Sequence, residues 1–412
     1  MKNSFLHITI IISILCLGTL TGCTEAQELH EHAYVIAMGI DRSKENPDHI
    51  RVTFEFVIPI AFNAESNSKA SSITTIEATT LNSAISLANT YISKELNLSH
   101  NKVIVFSQEL AYEGLDKFIS TISNDKNYRT NMYIAISKCS AEDYIKNTNP
   151  ELEKNPAKFY ELTFNGYEYT SLLANSYFLG YILASNSPYA QPTSILTSIN
   201  TQSDKSTNPT EQKVEVYGPY DSNITAGNIP KTGGTKTDAL GMAVFKGSQL
   251  VGELSGEETM YFLMANDKFK EVYFSIYDPF MPENIISFKL NKKRNATRKV
   301  SFVDGRPIIS LEVNLQANII SVSKNLNYQN ERTIDGTRAH LEYIITKNLK
   351  NFLYETTDTF GSDICGFGKL AAKNYATIEQ WNKSNWLEMY RYSYFNVKVN
   401  VDIEKSGLVF IE

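Results

Sequence analysis

Residues 34–40 form an apolar run closed by Gly39-Ile40-Asp41, which predicts a strand. Residues 51–58 then alternate. Val52, Phe54, Phe56 and Ile58 share one side, with Arg51, Thr53 and Glu55 on the other, the period of a half-buried strand. Residues 63–72 are rich in Ser and Asn and read as loop. At Thr80 the period lengthens. Leu81, Ala84, Ile85, Ala88, Ile92 and Leu96 make the apolar stripe of an amphipathic helix. Residues 102–106 and 132–137 are short apolar strands. Each precedes helical pattern, one carrying Leu115, Phe118, Ile119 and Ile122 after Gly114, the other spanning 141–146. Strand and helix in alternation predict a mixed α/β unit.

Residues 147–158 hold Pro150 and Pro156 among charges and read as a linker. Residues 169–183 are strongly apolar and read as helix. Residues 185–212 are rich in Ser, Thr, Asn and Pro and read as a long loop. Strand pattern restarts at 214–217, and 223–238 is loop with Gly233-Gly234. Residues 240–245 and 249–254 pair as a hairpin around Lys246-Gly247-Ser248. Gly256-Glu257-Glu258 precedes a helix with Met260, Tyr261 and Met264.

The last third is the most regular. Residues 299–303, then Asp304-Gly305, then Pro307 onward carry a hairpin signature. Ile309, Leu311, Val313, Leu315, Ala317 and Ile319 alternate with polar residues, giving one dry and one wet face. Leu341, Ile344, Ile345, Leu349, Phe352 and Leu353 fall at helical spacing, with Asp335 placed as cap or dipole partner. A second helix is expected from Gly361 past Leu370. Phe395, Val397, Val399, Val401 and Ile403 alternate again, so this part reads as a curved antiparallel sheet with helices on one face.

The first 22 residues add a different signal. Lys2 precedes an apolar run from 6 to 20, the pattern of a signal peptide, shorter than the ~20 apolar residues of a comfortable membrane span. Leu20-Thr21-Gly22-Cys23 follows. It resembles the lipobox of bacterial lipoproteins, in which the cysteine thiol takes the lipid and becomes the new N-terminus. Cys23 is therefore the expected lipidation site. The expected divisions are signal peptide 1–22, lipidated tether 23–33, N-terminal α/β domain 34–195, middle domain with long polar loops 196–295, and C-terminal antiparallel sheet plus helices 296–412. The fold class is α+β: three mixed α/β domains, each a largely antiparallel sheet with packed helices. A chain of 412 residues suits two or three domains.

The net charge is −6, and loss of Lys2 with the signal peptide makes the mature chain more acidic by one. That argues against a nucleic-acid partner. Cys16 leaves with the signal peptide, so beyond Cys23 only Cys139 and Cys365 remain. One bridge is possible, but two buried thiols are preferred. His30-Glu31-His32 offers good zinc ligands at the wrong spacing for a helical H-E-x-x-H site, and reads as solvated tether. Gly366-Phe367-Gly368-Lys369 lacks the P-loop spacing. Its glycines are expected to let helix and sheet approach closely. Thr232-Gly233-Gly234-Thr235 reads as a turn, and Trp381 and Trp386 as core. No G-x-S-x-G is present, and neither thiol has an identified histidine partner, so no catalytic, metal or cofactor residue is assigned.

Several blocks fall in a telling order. Cys23, Glu28 and Glu31 precede residues 35–41. Residues 103–106 are followed by Glu109-Leu110-Ala111 and Gly114-Leu115. Then come 241–246 and 250–255, then 363–368, Trp381, Trp386, 397–403 and Gly407-Leu408. In order and spacing the chain resembles the Ger(x)C family of spore germination proteins, the lipoprotein C subunits of nutrient germinant receptors. It departs in having Thr24, where the family commonly has an aromatic residue, and in the long polar stretch 185–238. The resemblance implies three mixed α/β domains and a non-enzymatic subunit on the outer face of the inner spore membrane. It implies partners as well: membrane-embedded A and B subunits, and the bilayer through acylated Cys23. A lipid-anchored solute-binding protein for a small nutrient is the alternative.

Overall fold

The protein is described by a computed structural model covering residues 32–58, 70–201, 224–322 and 330–404, with His7 apart from these. The chain runs β1 (His32–Arg42), β2 (Ile50–Val57), β3 (Ser71–Ala78), α1 (Leu81–Tyr91), β4 (Glu95–Asn97), β5 (Val103–Ser107), α2 (Gln108–Glu113), α3 (Asp116–Asn124), β6 (Tyr133–Ser137), α4 (Ala141–Asn147) and α5 (Pro156–Phe164). It continues through α6 (Phe178–Ser185), β7 (Thr193–Ile199), β8 (Thr237–Lys246), β9 (Gln249–Leu254), α7 (Gly256–Ala265), β10 (Glu271–Tyr277), β11 (Ile285–Val303), β12 (Arg306–Val322) and α8 (Glu331–Asp358). It closes with α9 (Gly368–Ala371), α10 (Ile378–Lys383), α11 (Trp386–Tyr390) and β13 (Tyr394–Glu404).

Two sheets result. The first has the order β3-β2-β1-β5-β6-β7-β8-β9, with β4 beside β1. Its centre is parallel and its flanks are antiparallel. Parallel centres are covered on both faces, so β5 and β6 read as unbroken apolar runs and are buried throughout. The second sheet is β10-β11-β12-β13. Its β11–β12 hairpin turns at Asp304-Gly305, both at positive φ, as a two-residue loop requires. The strands of residues 196–295 are shared between the sheets: β8 and β9 join the first, and β10 joins the second. One apolar core runs from Val105 and Met242 of the first sheet through Met260 and Phe262 of α7 to Leu311 and Phe352. A second core lies under α1–α3 on the other face of the first sheet.

Several expectations need correction. The helix that begins at Leu81 ends at Tyr91. Leu96 lies in β4, where Asn89 accepts its N–H at 3.0 Å. The helix expected over 169–183 begins only at Phe178. Before it, Ser171 and Ser176 are drawn off to Glu271 and Ile134 carbonyls. The expected linker ends in the first turn of α5, which is capped by the Asn155 side chain and opens on Pro156. Part of the expected loop 185–212 is β7. Its Ser194 and Thr197 hydroxyls donate to Ile134 and Ile136 carbonyls, which lets polar residues sit inside a sheet. Asn330, not Asp335, caps α8, and Asp335 pairs with Arg338 one turn in. Residues 361–367 are not helical, and β13 runs parallel to β12 because α8 carries the chain back across the sheet. Most of the loop expected at 63–72 and the strand at 214–217 lie outside the described residues; β3, which no pattern announced, begins at Ser71.

Two of the three polar positions of β2 are also dry. Thr53 and Glu55 are buried beneath α4 and α5, and Glu55 accepts from Ser71 Oγ at 2.6 Å and Tyr160 Oη at 2.8 Å. Burial pushes the Glu55 carboxyl above its ordinary 4.5, and the two hydroxyls oppose this. The folded chain thus holds a proton that the unfolded chain has lost. The stability this group contributes is present below pH 4.5 and lost as pH rises through the folded value. Glu55→Gln is expected to flatten that slope and to stabilise the fold at pH 8 relative to the parent chain. Urea unfolding from pH 4 to pH 8 measures it; an unchanged slope would refute the assignment.

Candidate functional site

The distinctive sequence blocks build joints. An added Cβ on Gly39 would stand 2.9 Å from Ile145 Cδ1 and 3.1 Å from Ala141 Cβ, so α4 rests directly on β1. Two residues on, the Asp41 carboxylate accepts the Ala141 and Glu142 N–H groups at 2.7 and 2.9 Å, satisfying orphan donors at the start of α4. Burial pushes Asp41 up to about 6, against the pull of those two amides. In the next block Ser107 caps α2 and Leu110 and Ala111 are buried. Leu115 N–H then donates to Ser248 at the β8–β9 turn.

The last block forms the tightest joint. Asp363 is fully buried, and its carboxylate accepts Phe367 N–H at 3.0 Å, Gly368 N–H at 2.6 Å and Trp386 Nε1 at 2.8 Å. A Cβ on Gly368 would lie 2.6 Å from the Tyr189 carbonyl and 2.7 Å from Trp386 Nε1. The expected close approach is therefore present. Trp381 and Trp386 pack on each other at 5.7 Å and are both buried, with Tyr189 stacked on Trp381. Gln191 N–H donates to the Asp363 carbonyl, so the joint ties the second sheet's helices to the segment entering β7.

The remaining candidates separate. Cys23 and His30 lie outside the described residues. His32 sits in β1 with Nδ1 3.9 Å from Glu95. Cys139 and Cys365 are free thiols. Cys365 is buried, and burial pushes its thiol far up; Cys139 is only half-buried, 3.2 Å from Ser137 Oγ. Among the described residues no three His, Cys, Asp or Glu side chains converge on a metal site.

Two cavities matter. A polar crevice of about 350 Å³ opens at the carboxyl ends of β1, β5 and β6, where open α/β sheets hold ligands. Its charges are largely answered: Arg51 meets Glu142 at 2.6 Å, Lys138 meets Glu253 at 2.9 Å, and Arg42 meets Glu113 at 3.0 Å. A larger cavity, about 990 Å³, lies at the seam between the sheets. Four distant segments line it, within 167–193, 262–270, 292–298 and 364–369. No local motif marks it. The available signal was α6, whose Leu179 and Leu183 face outward.

Fold and joints define a class: a mixed α/β protein of antiparallel-dominated sheets with packed helices, in which the most distinctive residues lock elements together. Residues 25–201 match the family described as spore germination protein N-terminal domain, and 240–407 match spore germination B3/GerAC like, C-terminal. The putative spore germination protein YfkR of Bacillus subtilis (strain 168) is 22% identical over 97% of both chains. Spore germination protein GerQC of Bacillus cereus is 21% identical over 77% of both. The crystal structure of the GerBC protein has the same fold, with TM-score 0.53 at 15% identity over 89% of this chain and 97% of that one. The chain belongs to the Ger(x)C family of spore germination proteins, the C-subunit family of germinant receptors.

Proposed function

We propose that this chain is the lipid-anchored C subunit of a spore nutrient germinant receptor. Acylated Cys23 holds it on the outer face of the inner spore membrane, and it acts without catalysis by assembling with membrane-embedded A and B subunits. The observation that carries this is the order of features: Leu20-Thr21-Gly22-Cys23 stands directly ahead of two matched segments, 25–201 and 240–407. Among the described residues no helix is long and apolar enough to cross a membrane, so the reading assigns attachment to the acyl chains. Anchoring raises the local concentration of the chain beside its partners. Nutrient binding elsewhere in the complex then shifts a shared conformational equilibrium.

Cys23→Ala at native expression tests it. Radioactive palmitate labelling is expected to fall to background, nutrient-triggered germination to slow by about tenfold or more, and recovery of A and B subunits with a tagged chain to drop. Undiminished labelling would place the lipid elsewhere. Germination at the normal rate by the unlipidated chain would remove the anchor from the mechanism.

A further inference from the structure

The seam cavity has a chemistry that subunit assembly does not use. At about 990 Å³ it is the size of a small-ligand site. Part of the lining is apolar: Leu173, Leu179, Leu183, Phe262, Leu263 and Phe269. Leu179 and Leu183 lie one turn apart on α6 and stay 45% and 63% exposed, so nothing among the described residues covers them. The charged groups on the lining are mainly cationic, Lys268, Lys270, Lys292, Arg298 and Lys369, set among neutral polar side chains such as Tyr167, Asn175 and Gln191.

Opposite charge on that lining comes from Asp267 alone, and it is already engaged. Lys292 Nζ meets its carboxylate at 2.9 Å and the Ala296 N–H donates to it at 2.8 Å. Lys270 pairs with Glu168. Lys268 and Lys369 have no ion pair among the described residues. Arg298 lies over the Phe367 ring at 4.8 Å and donates to the Cys365 carbonyl, with its buried Nε unpartnered. The turn that presents Lys268 is held in place. Asp267 takes the left-handed conformation, φ 64°, as α7 ends, and Lys268 N–H returns to Leu263 at 2.8 Å. Three cations that make no ion pair among the described residues therefore border one apolar trough, the Arg298 charge also acting on buried Asp363.

We propose that this cavity binds a small amphipathic anion, an apolar chain ending in a carboxylate, with its tail along Leu179 and Leu183 and its head among Lys268, Arg298 and Lys369. The lining selects for that class. A free amino acid would bring an ammonium group among these cations, with Asp267, already paired, as the one carboxylate on the lining. A neutral apolar molecule would leave the cations unanswered, and removing them from water without a counter-charge is unfavourable. Such binding needs neither the anchor nor the sister subunits.

The test uses the full chain in nanodiscs of phosphatidylcholine. The probe is dodecanoic acid carrying a mid-chain diazirine, compared with the matching alcohol and amine. After illumination, labelled peptides are mapped by mass spectrometry. The acid is expected to label peptides within 173–184 and 262–269 about tenfold more than the alcohol, and excess dodecanoate should abolish the labelling. The double variant Lys268→Gln, Lys369→Gln should lose most of it, and Lys268→Arg, Lys369→Arg should retain it, which separates lost charge from a damaged fold. Equal labelling by acid and alcohol, preferential labelling by the amine, or labelling spread in proportion to exposure would each overturn the proposal. So would suppression by phosphatidylglycerol nanodiscs without suppression by free dodecanoate, which would make the occupant a bilayer lipid.

Discussion

Asp363→Ala is expected to cost about 3–5 kcal/mol of folding stability, an effect the size of breaking a buried charged network. The carboxylate is the common acceptor for Phe367 N–H, Gly368 N–H and Trp386 Nε1. All three donors are in buried residues. Each would be left without a partner, at about 1–3 kcal/mol apiece before relaxation. Burial pushes the Asp363 carboxyl up; the two amides, the indole and the Arg298 charge oppose it. Whatever its protonation, the side chain accepts bonds that nothing else is placed to accept. Asp363→Asn keeps one oxygen and turns an amide N–H toward the donors, so it should fall between wild type and alanine. Urea unfolding followed by tryptophan fluorescence reads both effects, because Trp386 loses its indole partner and should shift to the red. A loss below ~1 kcal/mol for the alanine variant would mean that the joint relaxes or hydrates easily. Against a typical total of ~5–15 kcal/mol, the expected loss threatens the fold itself.

Gly241→Ala should be comparably severe for a different reason. Gly241 has φ +83° inside β8, a region that costs other residues roughly 1–2 kcal/mol. An added Cβ would also collide with the Leu254 carbonyl, on the strand that pairs Leu254 with Met242. The methyl group must push β9 away or twist β8. Either disturbs the Gly241 N–H bond to Leu172 and the start of α7 just beyond. A loss of about 3–5 kcal/mol is expected, seen as a collapsed soluble yield and a lowered melting temperature. Gly233→Ala is the control. Its φ is also positive, at +77°, but no atom lies within 4 Å of the added methyl, so it should lose only about 1 kcal/mol. Equal losses at both positions would show that backbone strain alone, not the Leu254 contact, sets the cost.

Sequence pattern reads well where one face is dry and the other wet. β12, β13 and the apolar stripe of α8 follow their periodicity because one side of each is packed and the other is open. It reads poorly where tertiary contacts overrule the local signal. Thr53 and Glu55 look solvated until α4 and α5 close over them. β7 looks like loop because its serines and threonines are polar, and becomes strand because β6 offers carbonyls to them. The parallel pairing of β13 depends on where α8 delivers the chain, which no residue of β13 encodes. At the joints, Gly368 was legible as a close approach. Asp363 was visible only as part of a block, since its three donors are set by folding rather than by spacing. The seam cavity was not legible at all, because its walls come from segments up to two hundred residues apart.

The position of β1 has a mechanical consequence under the proposed tethering at Cys23. Of the strands described, β1 stands nearest to Cys23 along the chain, yet it lies inside its sheet, paired antiparallel with β2 and parallel with β5. A strand at the rim would unzip under load, one hydrogen bond at a time. A pull transmitted along β1 from a membrane anchor instead loads the ladders on both sides in shear, so many bonds share the force and must yield together. If Cys23 is the anchor proposed above, jostling of the bilayer would displace the folded body as a whole before it frays β1.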